Sequence, residues 1–378
     1  MAIGEGDWWN VLTQLIENLY LGNEVDLGSH PSFEHILSDI RESSILPQVL
    51  RLLHDSGQLH AIPSHLRNEL MMRREQFVGQ SLFIRRIQEE ICNTLEDTKT
   101  PVIPLKGIYF AERFFGHFAA RPTSDIDLLV RDTDVSEVIR CLRALGFHGP
   151  SRFNPVHFHC VMWKPIEGAQ PTLNVEVHWS LMHRHSSSLD MEALWAGASP
   201  KESYQYVYEL SVLHTFYAIC LHGANHAMES FKYSLDVAHL LYRFGRQIDL
   251  PVLLTQAKRD KTYTRVRTVL AKVYQQFPSL HRIKPLPRTM TRIWLSHDLA
   301  LQHPLLLLDS FGQRAQFVKS IIWPDKEVVL WFMRDDPKIS RRNAYLRFYQ
   351  RRTLKLFRRI AAQDKGGHTV VGIVHEDR

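Results

Sequence analysis

Two aspartates stand two residues apart at the start of an apolar run, in the stretch RPTSDIDLLV at positions 121–130. The apolar residues predict a β-strand, and side chains two apart on a strand share one face. Asp125 and Asp127 therefore point the same way, and their repulsion should keep one of them from ionising. Two Mg²⁺ ions roughly 3.5–4 Å apart would relieve this repulsion and support in-line phosphoryl chemistry. The alternative is a polar strand start whose carboxylates only face water.

A third carboxylate lies in a second predicted strand, TLNVEVHWSL, in which apolar and polar residues alternate. Glu176 lies on one face of this strand, and Val175 and Val177 lie on the other. A carboxylate at the centre of such a strand needs a partner. A metal ion shared with Asp125 and Asp127 is one such partner, and an exposed sheet face is the alternative.

A short apolar run, a turn and a helical pattern precede the aspartates, in VIPLKGIYFAERFF at 102–115. The N-terminus of a helix attracts anions because its free N–H groups and its dipole both favour negative charge. Gly107 lies in the turn, and Lys106 adds a point charge suited to phosphate. The segment therefore predicts a phosphate site, and an ordinary helix start is the alternative.

Helical patterns surround this strand-containing segment, because apolar residues recur at helical spacing over 8–95 and again from about 190 to 360. We therefore predict an α+β fold in which a small mixed sheet is flanked by N-terminal and C-terminal helical regions. The predicted limits are 1–97 for the N-terminal helical region, 98–190 for the core, 191–362 for the C-terminal helical domain and 363–378 for a flexible tail.

The bulk composition is that of a globular protein, with 378 residues, 44% hydrophobic and 23% charged. The four cysteines show no CxxC spacing, which argues against a zinc ribbon and a disulfide framework. The start of the chain lacks signal-peptide features, and no apolar run approaches the roughly 18 residues of a membrane span. We therefore expect a cytoplasmic protein without a membrane span.

Positive charge is concentrated near the end of the chain, where 341–359 holds eight Lys and Arg residues and no acid. The net charge is +6. A solvated helix face explains such a run, and binding to RNA or another phosphate-bearing partner is the alternative.

Three motifs in order resemble a known family: LKG at 105–107, RPTSDIDLLV at 121–130 and VEVHW at 175–179. The chain is similar over about 45–355 to a bacterial family of uncharacterised nucleotidyltransferases, part of the superfamily with a DNA polymerase β-type core. The helical segment LHGANHAMESFKYSLDVAHLL is similar as well. The wider superfamily has Gly-Gly or Gly-Ser in the phosphate turn, whereas this chain has Gly107 alone, and its distance to the aspartates is longer.

The resemblance implies a metal-dependent transfer of an NMP from an NTP such as ATP. It makes Asp125, Asp127 and Glu176 the catalytic residues and the ligands of two Mg²⁺ ions, with Mn²⁺ as the alternative. Glu176 would also take the proton of the attacking hydroxyl. On this interpretation we expect Asp127→Asn to lose turnover, because the metal site loses a charge. Its stability should stay nearly normal, because the lost charge also repels Asp125.

The resemblance also implies a nucleotide site formed by Lys106, Gly107, Arg121 and Lys232. Lys106 and Gly107 would hold the β- and γ-phosphates, and Lys232 would meet the triphosphate unless it is simply solvated. Arg121, four residues before Asp125, would either contact the triphosphate or brace the strand that carries the aspartates.

Two histidines on the predicted helix, His222 and His226, share one face because they are four residues apart. A metal site with Asp236 has weak support, since a third ligand at motif spacing is missing. Satisfied polar contacts in the core explain these residues better, and the resemblance favours a position lining the cleft.

The resemblance leaves the acceptor open: it implies a hydroxyl or phosphate of a small molecule, a peptide or an RNA. One alternative function is a tRNA-directed nucleotidyltransferase or toxin, to which the basic run points. Another is a catalytically inactive nucleotide-binding scaffold, against which the three carboxylates argue.

Overall fold

The computed structural model describes residues 7–25, 40, 45–150, 157–166, 172–287, 290, 297–324, 326–333, 340 and 342–351. The first six helices are α1 (Asp7–Leu21), α2 (Leu46–Asp55), α3 (Ser64–Asp97), α4 (Gly107–Phe115), α5 (Val135–Ala144) and α6 (Met191–Ala196). The later helices are α7 (Val212–Asn225), α8 (Phe231–Phe244), α9 (Leu250–Arg259), α10 (Tyr263–Gln276), α11 (Leu280–Ile283), α12 (His297–Gln302), α13 (Phe311–Ile322) and α14 (Lys326–Phe332). Residues 342–351 are helical as well.

The strands form one sheet of four and one of two. They are β1 (Val102–Pro104), β2 (Asp125–Val130), β3 (His159–Lys164), β4 (Leu173–His178), β5 (Ala198–Pro200) and β6 (Tyr208–Leu210). The larger sheet has the order β1-β2-β4-β3, and β5 pairs with β6. Within the larger sheet β2 and β4 are parallel, whereas β1 and β3 run antiparallel to their neighbours. The predicted α+β fold with a small mixed sheet is confirmed.

One face of the larger sheet is buried against α3 and α5. Strands β2 and β4 supply Ile126, Leu128, Val175 and Val177 to this core. The two helices cover the strands with one apolar stripe each, formed by Ile84, Ile91, Leu95, Val138, Ile139 and Leu142. Because side chains alternate across a strand, the carboxylates of β2 and β4 must lie on the opposite face.

A second core joins helices from both ends of the chain. It includes residues of the N-terminal helices such as Leu12 and Leu53, and residues of α8 and α10 such as Leu240 and Val269. Leu129 of β2 also belongs to this core. The N-terminal and C-terminal helices therefore pack together against the face of the sheet that carries the carboxylates. The predicted domain limits at 97/98 and 190/191 stay predictions.

The small sheet β5–β6 was not predicted from the sequence, which indicated mostly helices after about 190. Its strands are three residues long, so alternation of polar and apolar residues is too brief to recognise. Tertiary contact stabilises this hairpin, because the N–H of Val102 donates to the carbonyl of Tyr206, and Val207 forms a bridge with Val102.

The described part of the basic run is helical and exposes Arg342, Arg347 and Arg351. On its inner side Phe348 is buried against Val329. The other basic residues of this run lie outside the described residues: Arg341, Arg352, Lys355, Arg358 and Arg359. The predicted flexible tail 363–378 lies outside them as well. Among the described residues, no helix combines the length and the apolar character that crossing a membrane requires.

Candidate active site

The parallel pairing of β2 and β4 fixes which polar side chains meet on the face of the sheet that carries the carboxylates. Asp127 lies opposite Glu176, and Asp125 lies opposite Asn174. His178 comes two residues after Glu176 and therefore shares its face. The two strands predicted to carry the carboxylates thus lie side by side, with Asp127 directly opposite Glu176.

Asp127 is the centre of a buried network of charged groups. Its side chain is 1% exposed, and its Oδ1 lies 2.9 Å from Lys106 Nζ and 3.1 Å from His178 Nε2. The same His178 nitrogen is 3.2 Å from Glu176 Oε2. His178 therefore lies between the two carboxylates and can donate to either, while Lys106 compensates the charge of Asp127 from the other side.

The electrostatics of this network favour an ionised Asp127. Burial opposes its charge, but the Lys106 ammonium and then the hydrogen bond from His178 bring the pKa of Asp127 well below its usual value. Burial likewise opposes the charge of Lys106, and the carboxylates of Asp127 and Asp125 nevertheless raise its pKa. The pKa of His178 is raised despite burial, through its hydrogen bonds to Asp127 and Glu176.

Asp125 is the carboxylate that resists ionisation. Burial, and next the negative charge of Asp127, raise the pKa of Asp125 above its ordinary value. Lys106 acts in the opposite direction without reversing the shift. The direction of this shift agrees with the expectation that one of the paired aspartates would resist ionising, and it points to Asp125.

Asp125→Asn should stabilise the metal-free protein at neutral pH. A carboxyl with a raised pKa in the folded state binds its proton more tightly there, so stability falls as pH rises through the interval above the ordinary pKa of 3.8. Asn does not ionise, so the variant does not lose stability over this pH interval. Thermal unfolding in a chelator should show Asp125→Asn above wild type at pH 7, with the difference disappearing in acid. A variant that is less stable at pH 7 would contradict this assignment.

Three of these side chains could ligate a metal ion. The ligand atoms of Asp127, Glu176 and His178 all lie within 4.8 Å of one another, and this is the one such group of His, Cys, Asp or Glu among the described residues. Two carboxylates and one imidazole suit Mg²⁺ or Mn²⁺ at the oxygens and Mn²⁺ at the nitrogen. Asp125 lies outside this group, on the same face of β2.

The turn between β1 and α4 brings Lys106 to the carboxylates. The N–H of Leu105 donates to the carbonyl of Asp127, so this turn is bound to β2. Lys106 Nζ also lies 3.3 Å from His222 Nδ1. An ammonium has no acceptor, so His222 accepts at Nδ1. Burial and the charge of Lys106 bring the pKa of His222 well below its ordinary value, which agrees with a neutral ring.

Gly107 begins α4 with a backbone conformation that other residues rarely adopt, at φ +70°. A Cβ at this position would lie 3.2 Å from Thr123 Oγ1 and 3.5 Å from the carbonyl oxygen of Asp125. The glycine therefore allows the turn to approach the start of β2 closely.

Gly107→Ala should lower the free energy of unfolding by roughly 1–2 kcal/mol, since a side chain at positive φ meets the backbone. Gly79→Ala is a matched control, because Gly79 lies within α3 and an added Cβ would meet nothing within 4 Å. The control should be stabilised by roughly 0.5–1 kcal/mol. Urea unfolding of both variants checks the pair, and equal effects of the same sign would contradict a special role for Gly107.

Arg121 lies in a buried ion pair rather than on an open surface. Its Nε and Nη2 donate to both oxygens of Asp236 at 2.8–3.0 Å, and the side chains are 4% and 1% exposed. Gln48 Nε2 donates to the same carboxylate at 3.1 Å. The contacts therefore join α2, the segment before β2 and α8. Of the two roles predicted for Arg121, these contacts favour bracing the aspartate strand.

The other residues singled out on α7 and α8 lie beside this network. The rings of His222 and His226 are 4.5 Å apart, and His226 stacks on Tyr233 at 5.2 Å. Asp236 pairs with Arg121, and it is not grouped with the two histidines as a potential metal ligand. This agrees with the sequence analysis, which preferred polar contacts in the core to a metal site. Burial, and next the charge of Arg121, lower the pKa of Lys232. The carboxylates of Asp236 and Asp125 act in the opposite direction on the pKa of Lys232.

His178 belongs to the network around Asp127, although the sequence analysis assigned it no role. The alternation of β4 places it on the same face as Glu176, so its spacing could have shown its neighbour. Its contact with Asp127 depends on the parallel pairing of two strands about fifty positions apart, which alternation alone does not give.

Comparison with known proteins agrees with this geometry. A family model described as an uncharacterised nucleotidyltransferase matches residues 29–274, which is well over half of the chain. The match contains β1 through β6 and the helices α7 and α8 that surround the carboxylates. No curated protein and no solved structure has significant similarity to the chain. The chain therefore belongs to the uncharacterised nucleotidyltransferase family.

Proposed function

We propose that the protein is a metal-dependent nucleotidyltransferase that moves an NMP from an NTP to a hydroxyl or phosphate of an acceptor. One observation carries the proposal: Asp127 and Glu176 lie opposite each other on parallel strands, with His178 between them and Lys106 beside them. This group joins metal ligands to a phosphate-binding cation at the start of a helix. The family match supports the same reaction class.

The carboxylates of Asp125, Asp127 and Glu176 are the proposed catalytic and metal-binding groups. Two Mg²⁺ ions, or Mn²⁺ in their place, would neutralise the triphosphate and polarise the attacking hydroxyl. Glu176 is more exposed than Asp127, at 28% against 1%, and can therefore accept the proton of an acceptor that enters from solvent. His178 holds both carboxylates in position, which limits their reorganisation during the reaction.

Lys106, Gly107 and Lys232 are the proposed nucleotide-binding residues. The ammonium of Lys106 pairs with Asp127. Its flexible side chain could turn from there to the β- and γ-phosphates at the N-terminus of α4, and a bound metal ion would then compensate the charge of Asp127. We assign Arg121 a positioning role, because its buried ion pair with Asp236 holds the guanidinium in place.

The place of the reaction and the identity of the acceptor are the finer parts of the proposal. We place the reaction in the cytoplasm, which the four free and buried cysteines support. The acceptor is a small molecule, a peptide or an RNA.

The experiment that tests this proposal is incubation of the full chain with each α-³²P-labelled NTP, Mg²⁺ and a cell extract. We expect one NTP to label an acceptor, and the label should disappear when the divalent cation is chelated. Glu176→Gln is the control, because it keeps the size of the side chain and removes its charge. Labelling that is equal in the wild type and in Glu176→Gln would refute the assignment of the carboxylates, and absence of labelling with all four NTPs would refute the reaction.

A further inference from the structure

A row of imidazoles extends from the carboxylates toward the edge of the sheet. The imidazole cluster consists of His157, His159, His178 and His183. The ring centroids of His178 and His159, of His159 and His157, and of His157 and His183 are each 4.9 Å apart. Phe158 packs at 4.8 Å against both His159 and His183.

The strand register places this cluster on the face that carries the carboxylates. His159 lies opposite His178 in the antiparallel pair of β3 and β4. Directly opposed residues in such a pair share a face, and His178 contacts Glu176 and Asp127. The cluster therefore begins at the carboxylates, continues across β3 and is reached by His183 from the segment after β4.

The order of the strands separates two sides of the carboxylates. Lys106 and the N-terminus of α4 follow β1, on one side of β2, whereas His159 lies on β3, beyond β4. In phosphoryl transfer the attacking and leaving oxygens are roughly in line with the phosphorus. If the triphosphate lies on the side of Lys106, as proposed above, the pyrophosphate leaves on that side. The acceptor must then approach from the side of β3, over the imidazole cluster.

We propose that the imidazole cluster is the acceptor subsite and that it binds a phosphate group which the acceptor carries near its attacking hydroxyl. This assignment rests on the proposed function. Even a neutral imidazole offers one N–H donor, so a row of rings can give several hydrogen bonds to one phosphate. His157, His159 and His183 are partly exposed, so a ligand can contact part of each ring, and Arg184 next to His183 is exposed. His157 Nδ1, His159 Nδ1 and His183 Nε2 are buried, so the proposal assigns the second nitrogen of each ring to phosphate. Glu176, at the inner end of the row, would then face the attacking hydroxyl.

The test uses the full chain with ¹⁵N-labelled histidine and inorganic phosphate as the probe. Imidazole signals are assigned through single His→Phe variants, which keep a ring in each position, with His→Gln variants in reserve for any that does not fold. We expect the signals of His157, His159 and His183 to shift saturably with phosphate. The signal of His60, an exposed residue outside the sheet, should stay in place.

The double variant His157→Phe with His183→Phe supplies the decisive comparison. Phosphate affinity measured at the His159 signal should fall by roughly a hundredfold, because the variant removes two donors and the loss of one hydrogen bond to a charged group lowers affinity by about tenfold or more. Signals of the cluster that do not respond to phosphate would overturn the proposal, and so would shifts confined to His222 and His226 beside Lys106. The spectra require no turnover, so a negative result here is distinguishable from a failure of nucleotidyl transfer.

Discussion

Asp127→Asn should lower the rate of nucleotidyl transfer by about 10²–10³, the typical effect of removing one preorganised electrostatic group. Asn keeps the size of Asp and one acceptor oxygen but removes the charge that the metal ion and the transferred phosphoryl group require. The pKa of Asp127 is held well below its usual value, so the wild-type group is charged at neutral pH. Initial rates at saturating NTP and Mg²⁺ measure the effect.

The same substitution should also destabilise the metal-free protein. Asp127 is a partner of Lys106 and His178 and is 1% exposed, so its replacement leaves the ammonium of Lys106 with less compensation. Loss of one member of a buried pair costs on the order of 3 kcal/mol. This prediction replaces the sequence-based expectation of nearly normal stability, which considered the repulsion from Asp125 and did not include the contact with Lys106.

The two aspartates thus provide a matched comparison in a chelator at pH 7. Asp127→Asn should unfold at lower urea than the wild type, and Asp125→Asn should unfold at higher urea. If Asp127→Asn is as stable as the wild type, the contacts of Asp127 with Lys106 and His178 do not stabilise the fold. A rate within a few-fold of wild type would instead reduce the two aspartates to a polar strand start.

Asp236→Asn should lower the free energy of unfolding by roughly 3–5 kcal/mol, because it leaves the guanidinium of Arg121 buried without a carboxylate. Arg121 and Asp236 are 4% and 1% exposed, and Gln48 also loses part of its acceptor. Three chain segments meet at this carboxylate, so the effect should include local opening near the start of β2. Equilibrium unfolding in urea gives the free energy.

Glu192→Gln is the matched control, because Glu192 also pairs with an arginine, Arg131, at the surface. The two side chains are 75% and 37% exposed, and exposed pairs contribute only about 0–1 kcal/mol. Similar losses in the two variants would contradict the idea that burial gives the Arg121–Asp236 pair its importance. A large loss of stability with normal transfer by the remaining folded protein would separate the bracing role from the chemistry.

Local patterns were sufficient to predict the elements that carry the site. The apolar run after Asp125 and the alternation around Glu176 identify β2 and β4, because a strand half buried against helices must alternate. The burial of Val175 and Val177 and the partial exposure of Glu176 agree with this prediction. The turn at Gly107 was also predicted, since a glycine before a helical pattern is a local signal.

Long-range pairing accounts for what the sequence did not reveal. The contact of Lys106 with Asp127 depends on the antiparallel pairing of β1 with β2, and the contact of Arg121 with Asp236 joins positions that are 115 residues apart. A charged residue gives no local sign of which opposite charge it will meet. Sequence reasoning therefore assigned Lys106 to phosphate and left Arg121 either to contact the triphosphate or to brace the aspartate strand, whereas in the structure each has a carboxylate partner.

The central claim is that the carboxylates of β2 and β4 support transfer of an NMP, and the position of the label in the nucleotide tests it most directly. The full chain is incubated with Mg²⁺ and a cell extract, in parallel with α-³²P-labelled and γ-³²P-labelled samples of the same NTP, and with Asp127→Asn beside the wild type. The account predicts that the acceptor gains label from the α-labelled nucleotide alone, and that Asp127→Asn lowers this gain by about 10²–10³. Label that enters from the γ-phosphate, or α-label that enters equally with Asp127→Asn, would contradict it.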